Sequence, residues 1–437
     1  MGYTYLIILF AVGIAFSYRV YSKIISPIFF FYISWLLVII VHATNFIEFN
    51  KLSDETITYV IVGGSFFFIG SLFASKVKLI SPKYCADALI MSAFKKYVYA
   101  LNISFVICLF GVLLFYVYHN NLPLDSEGAA RINRQGMGLY RPIREMIYSV
   151  TLPLLLTIVI ASSTIHSRIL LLNPFLGLES RVVANKLRNK LLLLFIISCV
   201  ILAIYAFLTF GRNYIFIVFS IVFSSYLLTT NNVSIKNKSF LFSAVSFIVI
   251  FVFITIKITE LRGIGNGLDA YKSIVIYYTG PLSYFNEAVP DITSFEYGHM
   301  FFGGFDSFFL RPFDYIPVIR DYIPPLPLSL NDQQVPLTIG LDIRYNAFGT
   351  IMLDAYHDAG FFGIIFICTF LGFVSSYFYR KANISNNPLY LCLCTLSGVW
   401  ILWSPLCWAG GFYATGSVTF WLLMLDYFAK RIRVSNK

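Results

Sequence analysis

The chain of 437 residues is 58% hydrophobic, 18% aromatic and only 12% charged, with a formal net charge of +11. A soluble domain carries about twice that charged share, so a single water-exposed core is excluded and a polytopic membrane protein is indicated. Each crossing of roughly 30 Å of hydrocarbon takes about 20 apolar residues, so about ten or eleven spans would use half of the chain.

The first apolar run, Met1 to Tyr18, has no basic residues ahead of it and no small-residue cleavage site behind it. It reads as a retained span and not as a signal peptide. Further spans are predicted at Ile24–Ile47, Thr56–Ala74, Tyr97–Tyr118, Ile143–Ile165, Leu191–Phe210, Tyr214–Leu228 and Phe240–Ile258. Ile169–Leu178 is a candidate interfacial piece. After a long polar interval come Phe361–Tyr379, Leu389–Ala409 and Phe412–Phe428. The expected fold is therefore all-α and polytopic, with about 11 transmembrane helices in all. Residues 1–258 hold about eight spans, 259–347 form one large external loop containing short helices, and 348–437 hold about three more. Six of the seven cysteines fall in or at the ends of apolar runs, Cys85 lies in a lysine-bearing loop, and none lies in the long loop, so no disulfide framework is expected. Cys392 and Cys394 are two apart and point to different sides of a helix, so no metal site is expected there.

Loop charge sets the expected orientation. Alternate connections carry Arg19 and Lys23, the lysines from Lys76 to Lys96, the group from Arg168 to Lys190, Lys236 and Lys238, Arg380 and Lys381, and the tail from Lys430. By the positive-inside rule this side is cytoplasmic. The N-terminus and the long loop then face outward and the C-terminus inward. No nucleic-acid partner is expected.

On the outward side the basic residues are nine arginines against three lysines: Arg131, Arg134, Arg141, Arg144, Arg212, Arg262, Arg311, Arg320 and Arg344, with Lys51, Lys257 and Lys272. Topogenesis needs positive charge of either kind and so predicts no arginine bias. A planar five-donor fork suits bidentate capture of phosphate or carboxylate, and the bias points to an anion site. Individual arginines also pair with acids or snorkel to headgroups.

Arg212 stands in the short turn Phe210-Gly211-Arg212-Asn213, close to the level of a lipid pyrophosphate. Arg262 opens Arg262-Gly263-Ile264-Gly265-Asn266-Gly267, where alternate glycines let backbone N–H groups approach an oxyanion; the spacing is not a nucleotide fingerprint. Apolar residues from Asp269 to Ala288 recur at helical spacing, with a kink expected at Pro281. The stretch from His299 to Arg311 is too aromatic for a solvated loop and is expected at the interface, rings toward lipid or sugar. Prolines from Pro312 to Pro336 then stiffen an irregular return. Asp354, His357 and Asp358 share one helical face just before a long apolar span, a default site hypothesis. A carboxylate beside an imidazole could take a proton from a sugar hydroxyl, and the arginines could hold a departing phosphate.

This layout resembles the bacterial O-antigen and oligosaccharide repeat-unit polymerases, the Wzy-type family, with its Arg-bearing outer loops, its Gly-Arg turn between central spans, and its large outer loop. That loop returns through Asn346-Ala347-Phe348-Gly349 and an acidic helix bearing Gly360-Phe361-Phe362-Gly363. The resemblance implies a GT-C-like membrane glycosyltransferase in the bacterial inner membrane. It would move a glycan from undecaprenyl pyrophosphate onto a new lipid-linked repeat unit by inverting transfer, without nucleotide sugar, cofactor or metal. Its implied partners are undecaprenyl-pyrophosphate-linked oligosaccharides, membrane lipid, a chain-length regulator and a flippase. Phosphate-binding roles carry over to Arg212, Arg262 and Arg344, and also to Arg141 and Arg311; from the residues themselves, Asn346 and His299 are candidate substrate-binding residues and His357 or Asp354 is the candidate base. The related O-antigen ligases have a His-Asn pair where this chain has Tyr345-Asn346, while His299 and His357 keep the ligase open. A lipid-linked oligosaccharide flippase is the rival from another class.

Overall fold

A computed structural model describes residues 2–21, 23, 25–79, 87–119, 150–208, 213–229, 253, 256, 267–310, 336–345, 348–410 and 416–432. Arg141, Arg212, Arg262, Arg311 and Asn346, the proline-rich return from Pro312, and nearly all of the expected span Phe240–Ile258 lie outside those residues. In chain order the elements are α1 (Gly2–Tyr21), α2 (Pro27–Ala43), α3 (Asp54–Lys76), α4 (Asp87–His119), α5 (Leu152–Leu172), α6 (Leu178–Leu208), α7 (Asn213–Thr229), α8 (Gly267–Ala288), α9 (His299–Leu310), β1 (Leu337–Gly340), β2 (Ile343–Tyr345), α10 (Ile351–Ser385), α11 (Pro388–Trp403) and α12 (Val418–Arg431). Among the described residues six helices are long and apolar enough to cross a membrane: Gly2–Tyr21, Asp54–Lys76, Asp87–Leu113, Leu152–Phe175, Leu178–Tyr205 and Ile351–Ser385. The protein is a helical, membrane-embedded chain of the polytopic kind.

Several helices outrun the apolar runs that announce them. α6 starts at Leu178 and not at Leu191, because Glu179, Arg181, Lys186, Arg188 and Lys190 are good helix formers that carry the helix beyond the apolar run. Ile169–Leu178 is correspondingly not a separate surface piece: α5 runs to Leu172, one 3-10 turn spans Asn173–Phe175, and α6 follows. Starts are set by polar caps. Ser26 accepts the Phe29 N–H ahead of Pro27, and Ser53 accepts the Thr56 N–H at 3.1 Å with Asp54 and Glu55 in the first turn of α3.

The chain divides into two compact units, both discontinuous in sequence. The first comprises Met1–Ile80, Lys272–Lys381 and Ser397–Gly416. Its core joins α1, α2 and α3 through aromatic rings, with Phe31 stacked on Phe67 at 3.9 Å. Glycines let α3 and α10 touch backbone to backbone: a Cβ at Gly70 would lie 2.0 Å from the Thr369 carbonyl oxygen, and one at Gly372 would lie 2.1 Å from that of Phe67. Polar contacts then tie early to late sequence. Trp35 Nε1 donates to Ser404 Oγ at 2.9 Å, His42 Nε2 meets Ser283 Oγ at 2.9 Å, and Tyr379 donates to the Ile25 carbonyl at 3.0 Å. Arg380 donates to the Ala74 and Val77 carbonyls at the end of α3.

A two-stranded antiparallel hairpin, β1 with β2, stands where an irregular return was expected. Its turn places Asp342 at φ 54°, a left-handed conformation that aspartate tolerates. Short β-branched runs on each side, Thr338-Ile339 and Ile343, suit the strands. Glu48 and Asn50 add backbone hydrogen bonds to Leu341 and Ile339, at 3.0 and 2.8 Å.

The second unit comprises Ser81–Tyr271, Ala382–Leu396 and Ser417–Lys437. Its centre is α5, whose residues are buried along almost the whole helix. Here Arg168, 2% exposed, donates from Nε and Nη2 to Asn386 Oδ1 and from Nη1 to the Thr229 carbonyl at the end of α7. The guanidinium therefore fastens three segments and complements a helix C-terminus. Buried Asp426 accepts from Tyr97 at 2.6 Å and pairs with Lys430 at 2.6 Å.

Candidate active site

The described candidate residues gather around an interruption in α10. Residues Ile351 to Asp358 form one helical stretch, then Ala359 (φ −157°, ψ 32°) and Gly360 (φ 59°, ψ −140°) break it before Phe361. Gly360 occupies backbone space closed to side chains, and a Cβ there would also lie 3.0 Å from the Phe295 ring. The break frees carbonyls at the end of the first stretch. Glu296 donates its N–H to the His357 carbonyl at 2.7 Å, and Tyr297 to that of Asp358 at 3.0 Å. The chain before α9 is thus stitched to the broken end of α10.

Both carboxylates on this face hold backbone. Asp358 is buried, and it accepts three N–H groups: Gly298 at 3.0 Å and Met300 at 2.9 Å on Oδ1, and Phe301 at 2.8 Å on Oδ2. It caps the first turn of α9 from another element, satisfying donors that the helix itself cannot. Asp354, 3% exposed, accepts the Trp408 N–H at 2.7 Å and so fixes the turn after α11. Trp408 returns to the same assembly: its Nε1 donates to the Phe301 carbonyl at 2.9 Å, and its ring stacks on Phe301 at 5.0 Å. His357, one turn after Asp354, is half-buried, and His299 is exposed at the start of α9. Of the two candidate bases, Asp354 is buried and His357 half-buried.

An aromatic wall adjoins the break. Tyr59 lies 5.4 Å from Tyr356 and 6.1 Å from Phe361, Tyr356 lies 6.3 Å from Phe295, and Tyr59 donates its hydroxyl to Glu55. Such a wall, with polar edges, suits the faces of sugar rings. Tyr59, Tyr356, Phe295 and Trp408 had not been picked out from sequence, because each is an aromatic in an aromatic-rich chain and its partners are remote. Arg344 stands on its own support. It is exposed on β2, opposite Thr338, while its neighbour Tyr345 is buried and donates to the Tyr277 carbonyl at 3.1 Å. The structure therefore assembles Asp354, His357 and His299 around one helix break and presents Arg344 on the hairpin of the same unit.

No family model, curated protein or solved structure matches the chain. Among the described residues no group of three His, Cys, Asp or Glu side chains is placed to hold a metal ion.

Proposed function

We propose that the protein is a membrane glycosyltransferase that polymerises undecaprenyl-pyrophosphate-linked oligosaccharide repeat units. In this reading about 11 spans form a GT-C-like enzyme of the bacterial inner membrane. The N-terminus and the long loop face outward and the C-terminus faces the cytoplasm. The observation that carries it is the choice of arginine over lysine on the outward side, nine against three. The one of those nine in the described residues, Arg344, is held out to solvent by a hairpin.

The reaction balances without an added reagent. A hydroxyl at the non-reducing end of the acceptor unit attacks the anomeric carbon of the donor glycan from the face opposite its pyrophosphate. The new C–O bond forms as the old one breaks, the hydroxyl proton passes to His357, and undecaprenyl pyrophosphate leaves with the electron pair. Arginine forks offset the charge that gathers on the leaving oxygen, with the roles carried by Arg212, Arg262 and Arg344 and supported by Arg141 and Arg311. Asn346 and His299 contact the substrate. Asp354 positions the helix that bears His357.

The test uses purified protein in liposomes fed lipid-linked repeat units. Arg212→Lys and Arg344→Lys each keep the charge and lose the fork, and each is expected to slow polymer formation roughly tenfold or more, since a charge-assisted hydrogen bond contributes about 1.5–3 kcal/mol. Polymer made at the normal rate by both variants would count against an arginine clamp. In cells, loss of a polymerase leaves single repeat units on the final acceptor, whereas loss of a flippase leaves none.

A further inference from the structure

From the packing of α9 we infer that His299–Leu310 is a partial membrane span, lying beside the second stretch of α10 with its Phe302–Phe309 side in lipid hydrocarbon. Seven of its twelve residues are Met, Phe or Leu and one, Asp306, is an acid. Met300, Phe301, Gly303 and Gly304 are buried, whereas Phe302 is 52% and Phe309 47% exposed. Those two phenylalanines are seven residues apart and so lie on one side of the helix.

The neighbour of α9 says what covers that side. Phe301 meets Phe370 edge-on at 5.3 Å and Phe366 at 6.5 Å. Both belong to a helix long and apolar enough to cross a membrane. They lie one and a half to three turns beyond its break, so α9 is fastened along that span as well as at the break itself. Phe362, Phe366, Phe370 and Phe373 recur every three or four residues on it and are all exposed, marking its lipid-facing side. The exposed rings of α9 continue an existing hydrocarbon surface. Left in water, each half-exposed phenylalanine would forgo burial of about 100 Å², a large penalty for a loop with other places to put its polar residues.

The start of α9 is held to the break in α10, where buried Asp358 accepts the Met300 and Phe301 N–H groups and that of Gly298 just ahead of the helix. This inference needs only that α10 crosses the membrane, and it stands whether or not the protein makes polymer.

The test is collision accessibility of spin labels in liposomes. Single cysteines replace Phe302, Phe309, Phe366 and Tyr297 in a chain whose seven native cysteines have been substituted and which still elutes as a single species. Labels at Phe302 and Phe309 are expected to match the one at Phe366, open to oxygen and closed to a nickel chelate. The label at Tyr297, which is 86% exposed beside the break, should show the reverse. Nickel access at Phe302 and Phe309 equal to that at Tyr297 would place α9 in water and overturn the inference. Poor access to both probes would mean protein, such as a second copy, covers the face, and would overturn it too. Should the cysteine-free chain not fold, p-benzoylphenylalanine at Phe302 in the native chain is expected to gain the mass of one phospholipid on irradiation, and a cross-linked dimer or no lipid adduct refutes it.

Discussion

Asp354 and Asp358 look interchangeable in sequence, two acids one helical turn apart, yet each is committed to a different piece of backbone. Asp358 uses both oxygens on the start of α9, and Asp354 holds the Trp408 turn. A buried donor left unsatisfied costs about 1–3 kcal/mol, so Asp358→Asn should destabilise the protein by about that much. The amide keeps one acceptor and turns its own N–H₂ toward a donor that needs an oxygen. Thermal unfolding followed by tryptophan fluorescence, with limited proteolysis between residues 292 and 302, measures the effect. An unchanged melting temperature together with unchanged cleavage would show that the carboxylate is not the cap of α9. The common face of Asp354, His357 and Asp358 was legible as spacings of three and four. Their assignment was not, because the partners lie 54 to 60 residues away in the chain and nothing local records them.

At the scale of the element, α10 is two helices that meet at Gly360. The glycine pair Gly360 and Gly363 was visible in sequence, but its physical meaning is a sharp bend: a Cβ at Gly363 would fall 1.9 Å from the Ala355 carbonyl oxygen. Gly360→Ala is expected to cost about 1–3 kcal/mol from backbone strain alone, before its methyl meets the Phe295 ring. Relief by straightening would pull the His357 and Asp358 carbonyls back into the helix and release Glu296 and Tyr297. Amide exchange at those two residues reports this: fast exchange in the variant is expected, and protection equal to the parent chain would show that the bend does not depend on glycine. The hairpin was hidden for a different reason. Strands of four and three residues are too short for alternation to register, and prolines on the approach suggested irregular chain. Helix ends were misplaced wherever charged helix formers carried a span beyond the hydrocarbon, as in α6.

At the scale of the whole molecule, the order of residues in the chain and the order of packing differ. The first unit takes its opening eighty residues from the N-terminus and the rest from beyond Lys272. Trp35 and Ser404 are 369 positions apart, Ile25 and Tyr379 are 354 apart, and His42 and Ser283 are 241 apart. At roughly 5–20 residues per second of synthesis, the first three helices must wait tens of seconds in the membrane for their partners. During that wait His42 and Trp35 have polar atoms without their native acceptors and donors, which is costly where no water reaches. Ribosome-bound chains arrested after about residue 300 are therefore expected to leave the segment 1–80 open to added protease and to cross-linking by membrane chaperones, whereas full-length chains protect it. Protection of 1–80 in the arrested chain equal to that in the full chain would mean that α1, α2 and α3 are stable by themselves, and that the distant hydrogen bonds decorate a unit already formed.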